Sequence, residues 1–319
     1  KHAAGVDVRV IYDDVGSLNT LPMNYAHKFE AETGIPCCFF NRFKPIISIR
    51  MNNRDHRKFC IIDGHTAFTG GINLADEYIN QKPRFGHWKD SAILLKGEAA
   101  WSRWVLFPTL GEYTGVVEED YTRFRPAPRP GEAAGGAGYY VQPYTDNPLD
   151  DEPVGETVYL NLISKAKHYI YAMTPYLIIS DSVNTALCNA AKAGVDVRII
   201  TPHIPDKPLV FELTRSHYEP LLEAGVRIFE YTPGFVHAKN MVVDDLCAVV
   251  GSINLDYRSM FLHFEDAVLL YRDPTILDVK RDFLETQFKS QPVTLEECLA
   301  HAWPRRLFRS ILRVLAPLL

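Results

Sequence analysis

The sequence predicts an α/β protein of two lobes, and three observations carry that prediction. Strand-like and helix-like segments alternate through both halves, segments of the first half recur in the second, and a stretch dense in Pro and Gly divides them. With 319 residues, 47% of them hydrophobic, each half has enough apolar material for its own core.

The repeat begins with the first residues. Ala4-Gly5-Val6-Asp7-Val8-Arg9-Val10-Ile11 recurs as Ala193-Gly194-Val195-Asp196-Val197-Arg198-Ile199-Ile200. The glycine ends a helix, and the alternating residues after it enter a strand. In the second copy a strand, His168 to Met173, and a helix over residues 181–192 come first, whereas the first copy has neither. The expectation is a first lobe truncated at its N-terminus by one strand and one helix. That lobe takes residues 1–124, and a linker takes 125–150, running through Arg125-Pro126-Ala127-Pro128-Arg129-Pro130-Gly131. The second lobe takes 151–300 and a C-terminal helix 301–319.

Composition narrows the class. The net charge of −5 lacks the basic footprint of a nucleic-acid binder. Six cysteines (Cys37, Cys38, Cys60, Cys188, Cys247, Cys298) include no Cys-x-x-Cys pair, and the adjacent Cys37 and Cys38 disfavour a disulfide framework. They read as thiols of a reducing compartment, without the spacing of a zinc site. No stretch reaches the ~20 apolar residues of a spanning helix, and no signal peptide opens the chain.

The chemistry lies in a second repeated element. His56-Arg57-Lys58-Phe59-Cys60-Ile61-Ile62-Asp63 is followed by Gly70-Gly71-Ile72-Asn73; His237-Ala238-Lys239-Asn240-Met241-Val242-Val243-Asp244 is followed by Gly251-Ser252-Ile253-Asn254. All spacings agree, which chance does not supply. Apolar β-formers after each Lys, then Asp63-Gly64 or Asp244-Asp245, predict strand, tight turn, strand. Residues two apart on a strand share a face, so each His and Lys point together. The candidate catalytic set is thus His56, Lys58, Asp63, His237, Lys239 and Asp244, with the two aspartates expected to make turn hydrogen bonds or salt bridges. Asn73 and Asn254 end the return strands, within reach of the same ligand. A third match, Asp90-Ser91-Ala92-Ile93-Leu94-Leu95 against Glu265-Asp266-Ala267-Val268-Leu269-Leu270, adds one carboxylate to each lobe.

In this doubled His-x-Lys-x4-Asp pattern the sequence resembles the phospholipase D superfamily, over nearly the whole chain. The resemblance implies two lobes related by a pseudo-two-fold axis, each a mixed β-sheet flanked by helices, with both histidines in one cleft. It implies nucleophilic catalysis through a covalent phosphohistidine, with His56 as nucleophile and His237 as acid, the roles then reversing. Histidine suits both tasks because its pKa lies near neutrality. Lys58, Asn73, Lys239 and Asn254 would bind the non-bridging phosphate oxygens, Glu265 would orient His56 and Asp90 would orient His237, and no metal or other cofactor is implied. Narrower segments are similar to bacterial cardiolipin synthases: Asn52-Asn53-Arg54-Asp55-His56-Arg57-Lys58, Gly70 through Tyr78, Thr174-Pro175-Tyr176, Gly234 through Lys239, and Asn254-Leu255-Asp256-Tyr257-Arg258-Ser259. Two positions depart: Lys89 stands where that family shows Arg, and His263 where it shows Asn.

The implied reaction joins two phosphatidylglycerol molecules into cardiolipin and releases glycerol, at a bacterial cell membrane with the lobes on the cytoplasmic side and an N-terminal anchor missing from this chain. A phospholipase D hydrolase and a superfamily nuclease are the rivals. The C-terminal segment fits a lipid partner. On a helical projection, Arg305, Arg306, Arg309 and Arg313 cluster opposite Leu307, Phe308, Ile311, Leu312, Val314 and Leu315, which predicts an amphipathic helix suited to an anionic bilayer interface, the alternative being a terminal helix docked on its own domain. Trp101 and Trp104, in a helix-like stretch over residues 98–110, read as core.

Overall fold

The computed structural model describes residues 1–42, 52–103, 125–126, 138–300 and 302–315. In the first lobe, β1 (Val10–Asp13) and β2 (Cys37–Phe40) pair in parallel, with helix α1 (Tyr25–Thr33) between them. Next come β3 (Phe59–Ile62), β4 (Thr66–Gly70), β5 (His87–Lys89) and β6 (Ala92–Lys96). Strands β3, β4 and β6 form an antiparallel sheet in that order.

The second lobe opens with β7 (Tyr140–Asp146), α2 (Val154–Lys165), β8 (Tyr169–Met173), β9 (Leu177–Ile178) and α3 (Asp181–Lys192). It continues through β10 (Asp196–Pro202), α4 (Pro208–Ser216), α5 (Tyr218–Glu223), β11 (Arg227–Tyr231), β12 (Gly234–Val236), β13 (Asn240–Val243) and β14 (Cys247–Gly251). After β15 (Leu255–Asp256) come β16 (Glu265–Tyr271), α6 (Thr275–Phe288), β17 (Ser290–Val293) and α7 (Trp303–Leu315). Eight strands form one mixed sheet in the order β17-β11-β10-β8-β13-β14-β16-β7.

The lobes match piece by piece, β1–β2 with β10–β11 and β3–β4–β6 with β13–β14–β16. Strand β8 joins the two pieces in the second lobe, pairing with both β10 and β13. Among the described residues of the first lobe no strand holds that place, so its pieces are separate sheets. The small sheet packs on the large one: Ala67, Ile93 and Leu95 share a buried cluster with Val236, Val242, Val250 and Val268. Arg103, fully buried, crosses the same interface to Asp266 at 3.3 Å. It lies in the described helical residues 98–103; Trp101 is partly buried, and Trp104 lies outside the described residues.

One boundary needs correction. The stretch assigned to the linker contains β7, which pairs with β16 from Tyr140↔Tyr271 to Asp146↔Glu265. Its Pro143 weakened the strand signal, yet an edge strand tolerates proline because its outer N–H groups need no partner. The C-terminal helix docks on its own lobe through its arginine face, the second of the two placements expected for it. Arg305 and Arg309 bind Glu212 of α4, Arg306 binds Glu219 of α5 at 2.9 Å, and Leu312 is buried. The projection located the two faces; the acidic residues that capture the arginines lie about 90 positions upstream and were invisible to it.

Candidate active site

Each motif sits on a hairpin. Strands β3 and β4 are joined at Asp63 and Gly64, with φ of 54° and 62°, and β13 and β14 at Asp244 and Asp245, both at 55°. Left-handed backbone at both residues suits Asn, Asp and Gly. The aspartates of the motifs stay at these turns, away from the histidines. Asp244 accepts the backbone N–H groups of Lys167, His168 and Tyr169 at 2.7, 2.9 and 2.8 Å, tying the hairpin to the start of β8. Asp63 is exposed, with no hydrogen bond among the described residues. Asp244 thus makes the turn hydrogen bonds expected of it, and Asp63 occupies the matching left-handed turn position.

The histidines stand just before the hairpins, where each lobe borrows backbone from the other. Phe264 accepts from His56 N at 2.9 Å, and Lys89 accepts from His237 N at 2.6 Å. Strand β12, leading into His237, pairs in parallel with β5 of the first lobe, while Asp55 bridges to Phe264 of the second. This exchange carries each carboxylate across. His56 Nδ1 lies 2.8 Å from Glu265 Oε1, and His237 Nδ1 lies 2.8 Å from Asp90 Oδ2. A carboxylate on Nδ1 holds the proton there and leaves Nε2 as the free lone pair. Glu265 is also bound by Ser252 Oγ, and Asp90 by Ser91 N at 2.8 Å.

Glycines make the close approach. A Cβ at Gly70 would lie 2.3 Å from Ser91 O, and one at Gly251 would lie 2.3 Å from Asp266 O. No side chain fits where each return strand presses on the carboxylate-bearing strand.

Both lysines are drawn inward, donating to the carbonyls of His56 and His237. Burial lowers Lys58, and it lowers Lys239 to about 7, with Lys58 itself pushing Lys239 the same way. Burial likewise lowers His56 to about 3, against the pull of Glu265, and His237 to about 4, with Lys239 and Lys58 acting in the same direction. Glu265 is held well below its ordinary range by His56 and His263, against its own burial. Lys58 thus acts on a lysine and a histidine of the opposite lobe, so the two motifs share one electrostatic site.

The asparagines are less committed. Asn73 Nδ2 donates to Tyr78 Oη at 2.6 Å, and Asn254 Nδ2 donates to Asp256 at 2.9 Å, leaving Asn254 Oδ1 buried without a partner. Either amide would have to turn to meet a phosphate.

Three aromatic residues escaped the sequence reading. Tyr78, Trp88 and Phe235 surround the His237 ring at centroid distances of 5.3, 5.2 and 6.0 Å. Their positions inside or beside the motifs were the only available signal. His263 was seen only as a departure. Its ring is 5.6 Å from that of His56, its Nδ1 is 3.7 Å from Glu265 Oε1, and neither ring nitrogen has a hydrogen-bond partner. The donor atoms of His56, His263 and Glu265 lie within 4.8 Å of one another, a set that could hold a metal ion only by displacing the His56–Glu265 hydrogen bond.

The arrangement offers two imidazoles with oriented lone pairs, His237 buried and His56 a quarter exposed, beside two lysine ammonium groups. Residues 1–83 and 159–286 match the family described as "Cardiolipin synthase, PLD-like domain". A cardiolipin synthase of Halalkalibacterium halodurans is 35% identical over 100% of this chain, which spans 63% of that enzyme. A Streptococcus mutans protein is 46% identical over 99% of the chain, which spans 67% of it. The fold is that of the phosphatidylserine synthase of Haemophilus influenzae, with a TM-score of 0.72 and 16% identity over 98% of this chain and 81% of that one.

Proposed function

We propose, on the premise that this chain belongs to the cardiolipin synthase family of PLD-like domains, that its cleft transfers a phosphatidyl group between two phosphatidylglycerol molecules. Nε2 of His56 attacks the phosphorus of the first lipid as a neutral imidazole. The bond from phosphorus to the glycerol headgroup breaks, and glycerol leaves with a proton from His237, so that a phosphatidyl-histidine remains. His237, now neutral, takes the proton from the terminal hydroxyl of a second phosphatidylglycerol. That oxygen displaces the imidazole, yielding cardiolipin and restoring both histidines.

The observation that carries this reading is the reciprocal crossing of carboxylate and histidine between lobes, which puts two oriented imidazoles in one electrostatic site. The division of labour follows from surroundings. The His56 side chain keeps 25% of its surface exposed against 9% for His237, so it meets an entering phosphorus more readily. Asp90 on His237 Nδ1 stabilises the imidazolium that the acid role requires, and leaves its Nε2 proton to the departing glycerol. The entering phosphodiester anion raises His237 from its depressed value, favouring the imidazolium that the acid needs. Its non-bridging oxygens meet Lys58 and Lys239. The work belongs at the cytoplasmic face of a bacterial membrane, where the lipid is supplied. Among the described residues no helix is long and apolar enough to cross a membrane.

The test is product analysis with headgroup- and chain-labelled phosphatidylglycerol, using the full-length protein. Cardiolipin and free glycerol in equal amounts are expected, with chain label held on the protein when turnover is stopped by denaturation at neutral pH, since a phosphohistidine bond is lost in acid. Phosphatidic acid alone would identify a hydrolase, and absence of both products would overturn the reading.

A further inference from the structure

Helix α7 is bound to its lobe by its charged side. Arg309 is buried and donates to Glu212 Oε2 at 2.8 Å, Arg305 binds the same carboxylate, and Arg306 binds Glu219. Leu312 packs in a cluster with Ile178 and Leu213, against which Tyr176 and Val210 rest. At about 100° per residue, Arg305, Arg309 and Leu312 fall on one arc of the helix. The opposite arc is apolar and open: Trp303 is 74% exposed, Leu307 52%, Ile311 51% and Val314 79%, with Phe308, 45% exposed, at its edge. Water-facing apolar side chains in this density on one helix mark a surface meant for something else.

We propose that this face of α7 lies in the surface layer of a lipid bilayer, beside the entrance to the active site. Position is the first argument. Tyr176, beneath Leu312, stacks edge-on against Phe235 at 6.3 Å, and Phe235 lies 6.0 Å from His237. The helix therefore stands on the wall that holds one of the two catalytic imidazoles. Size is the second. A helix of this length is about 20 Å long and presents roughly a few hundred Å² on one side, short of the roughly 800 Å² per partner that a stable dimer buries. Composition is the third. Trp, Leu, Ile and Val on one arc, flanked by Phe308 on one side and by Arg306, still 45% exposed, on the other, match a helix lying at the headgroup boundary. The internal ion pairs fix the helix so that binding the bilayer also sets the orientation of the cleft. This inference deepens the phosphatidyl-transfer reading, because a two-chain lipid must reach the cleft from the bilayer.

The full-length protein in phosphatidylglycerol vesicles tests it. Subtracting the emission of a Trp303→Phe variant isolates Trp303, and vesicles carrying brominated acyl chains should quench that difference signal. The Leu307→Glu/Ile311→Glu double variant, altered only at exposed positions, should turn over vesicle lipid at least about tenfold more slowly while keeping its rate on a water-soluble short-chain phosphatidylglycerol. Trp303 emission untouched by bromolipid, whether because another segment of the full chain or a second copy covers it, would overturn the proposal. So would an unchanged vesicle rate in the double variant. Quenching without any cardiolipin formation would leave the bilayer contact standing and remove the transfer reading instead.

Discussion

Gly71 leaves the space that Asp90 occupies: a Cβ at residue 71 would lie 2.1 Å from Asp90 Oδ1 and 2.9 Å from the carbonyl of His237. The matching position of the other lobe is Ser252, whose hydroxyl binds Glu265 directly. One lobe fixes its carboxylate with a side chain and the other by making room. Gly71→Ala should therefore push Asp90 off His237 and lower kcat about 10²-fold, as should Asp90→Asn, while Km changes little. A Gly71→Ala enzyme with full kcat would show that Asp90 can move without consequence.

Replacement of either catalytic histidine by Ala should lower turnover by at least about 10⁴-fold, and the two losses should not add in the double variant, because both act on one phosphorus atom. Protein denatured at neutral pH before turnover is complete should carry chain label in the wild type and none in His56→Ala. Substantial activity in either single variant would break the two-histidine scheme.

Asp244→Ala should act on stability rather than chemistry. Losing the acceptor of three backbone N–H groups at a left-handed turn costs about 1–3 kcal/mol, visible as a lower denaturation midpoint, with the rate per folded molecule kept. Asp63→Ala, at an exposed turn, should shift the midpoint by about 1 kcal/mol or less.

The alkaline side of the pH profile should report Lys239. Burial brings it to about 7, so its ammonium is lost as pH rises through that value; kcat/KM, which reads the free enzyme and already declines with loss of the His237 proton, should fall more steeply above about pH 7. With a phosphate anion alongside, the ammonium is favoured and kcat should hold to higher pH. A kcat/KM that stays level up to pH 9 would mean that Lys239 keeps its proton or that its charge is not needed.

Chelating agents should leave cardiolipin formation unchanged, since the two lysines supply the charge that a metal would. Added zinc should inhibit by bridging His56, His263 and Glu265, and His263→Asn should relieve that inhibition by removing one donor. Loss of activity in EDTA would remove the metal-free scheme.

The two hairpins were legible because strand periodicity and turn chemistry are local: β3 and β13 begin within a residue or two of each lysine, and both turns have left-handed backbone where Asp-Gly and Asp-Asp stand. Helix α3 covers residues 181–192, where the repeat located it. Strand β7 was not legible, since proline at an edge position reads as a breaker until the pairing partner is known. The crossing of Glu265 to His56 and Asp90 to His237 came from family likeness alone, as nothing local specifies a contact over more than a hundred residues.

By itself the amino-acid order determined the doubled motif, the two lobes and which side chains carry charge, because those depend on spacing and residue type. Only the tertiary structure decided where the charges go. Asp244 turned to backbone, His263 joined Glu265, and the arginines of α7 faced Glu212 and Glu219 instead of solvent. Those outcomes depend on which opposite charge is nearest in space once burial has removed water, and distance along the chain does not encode it.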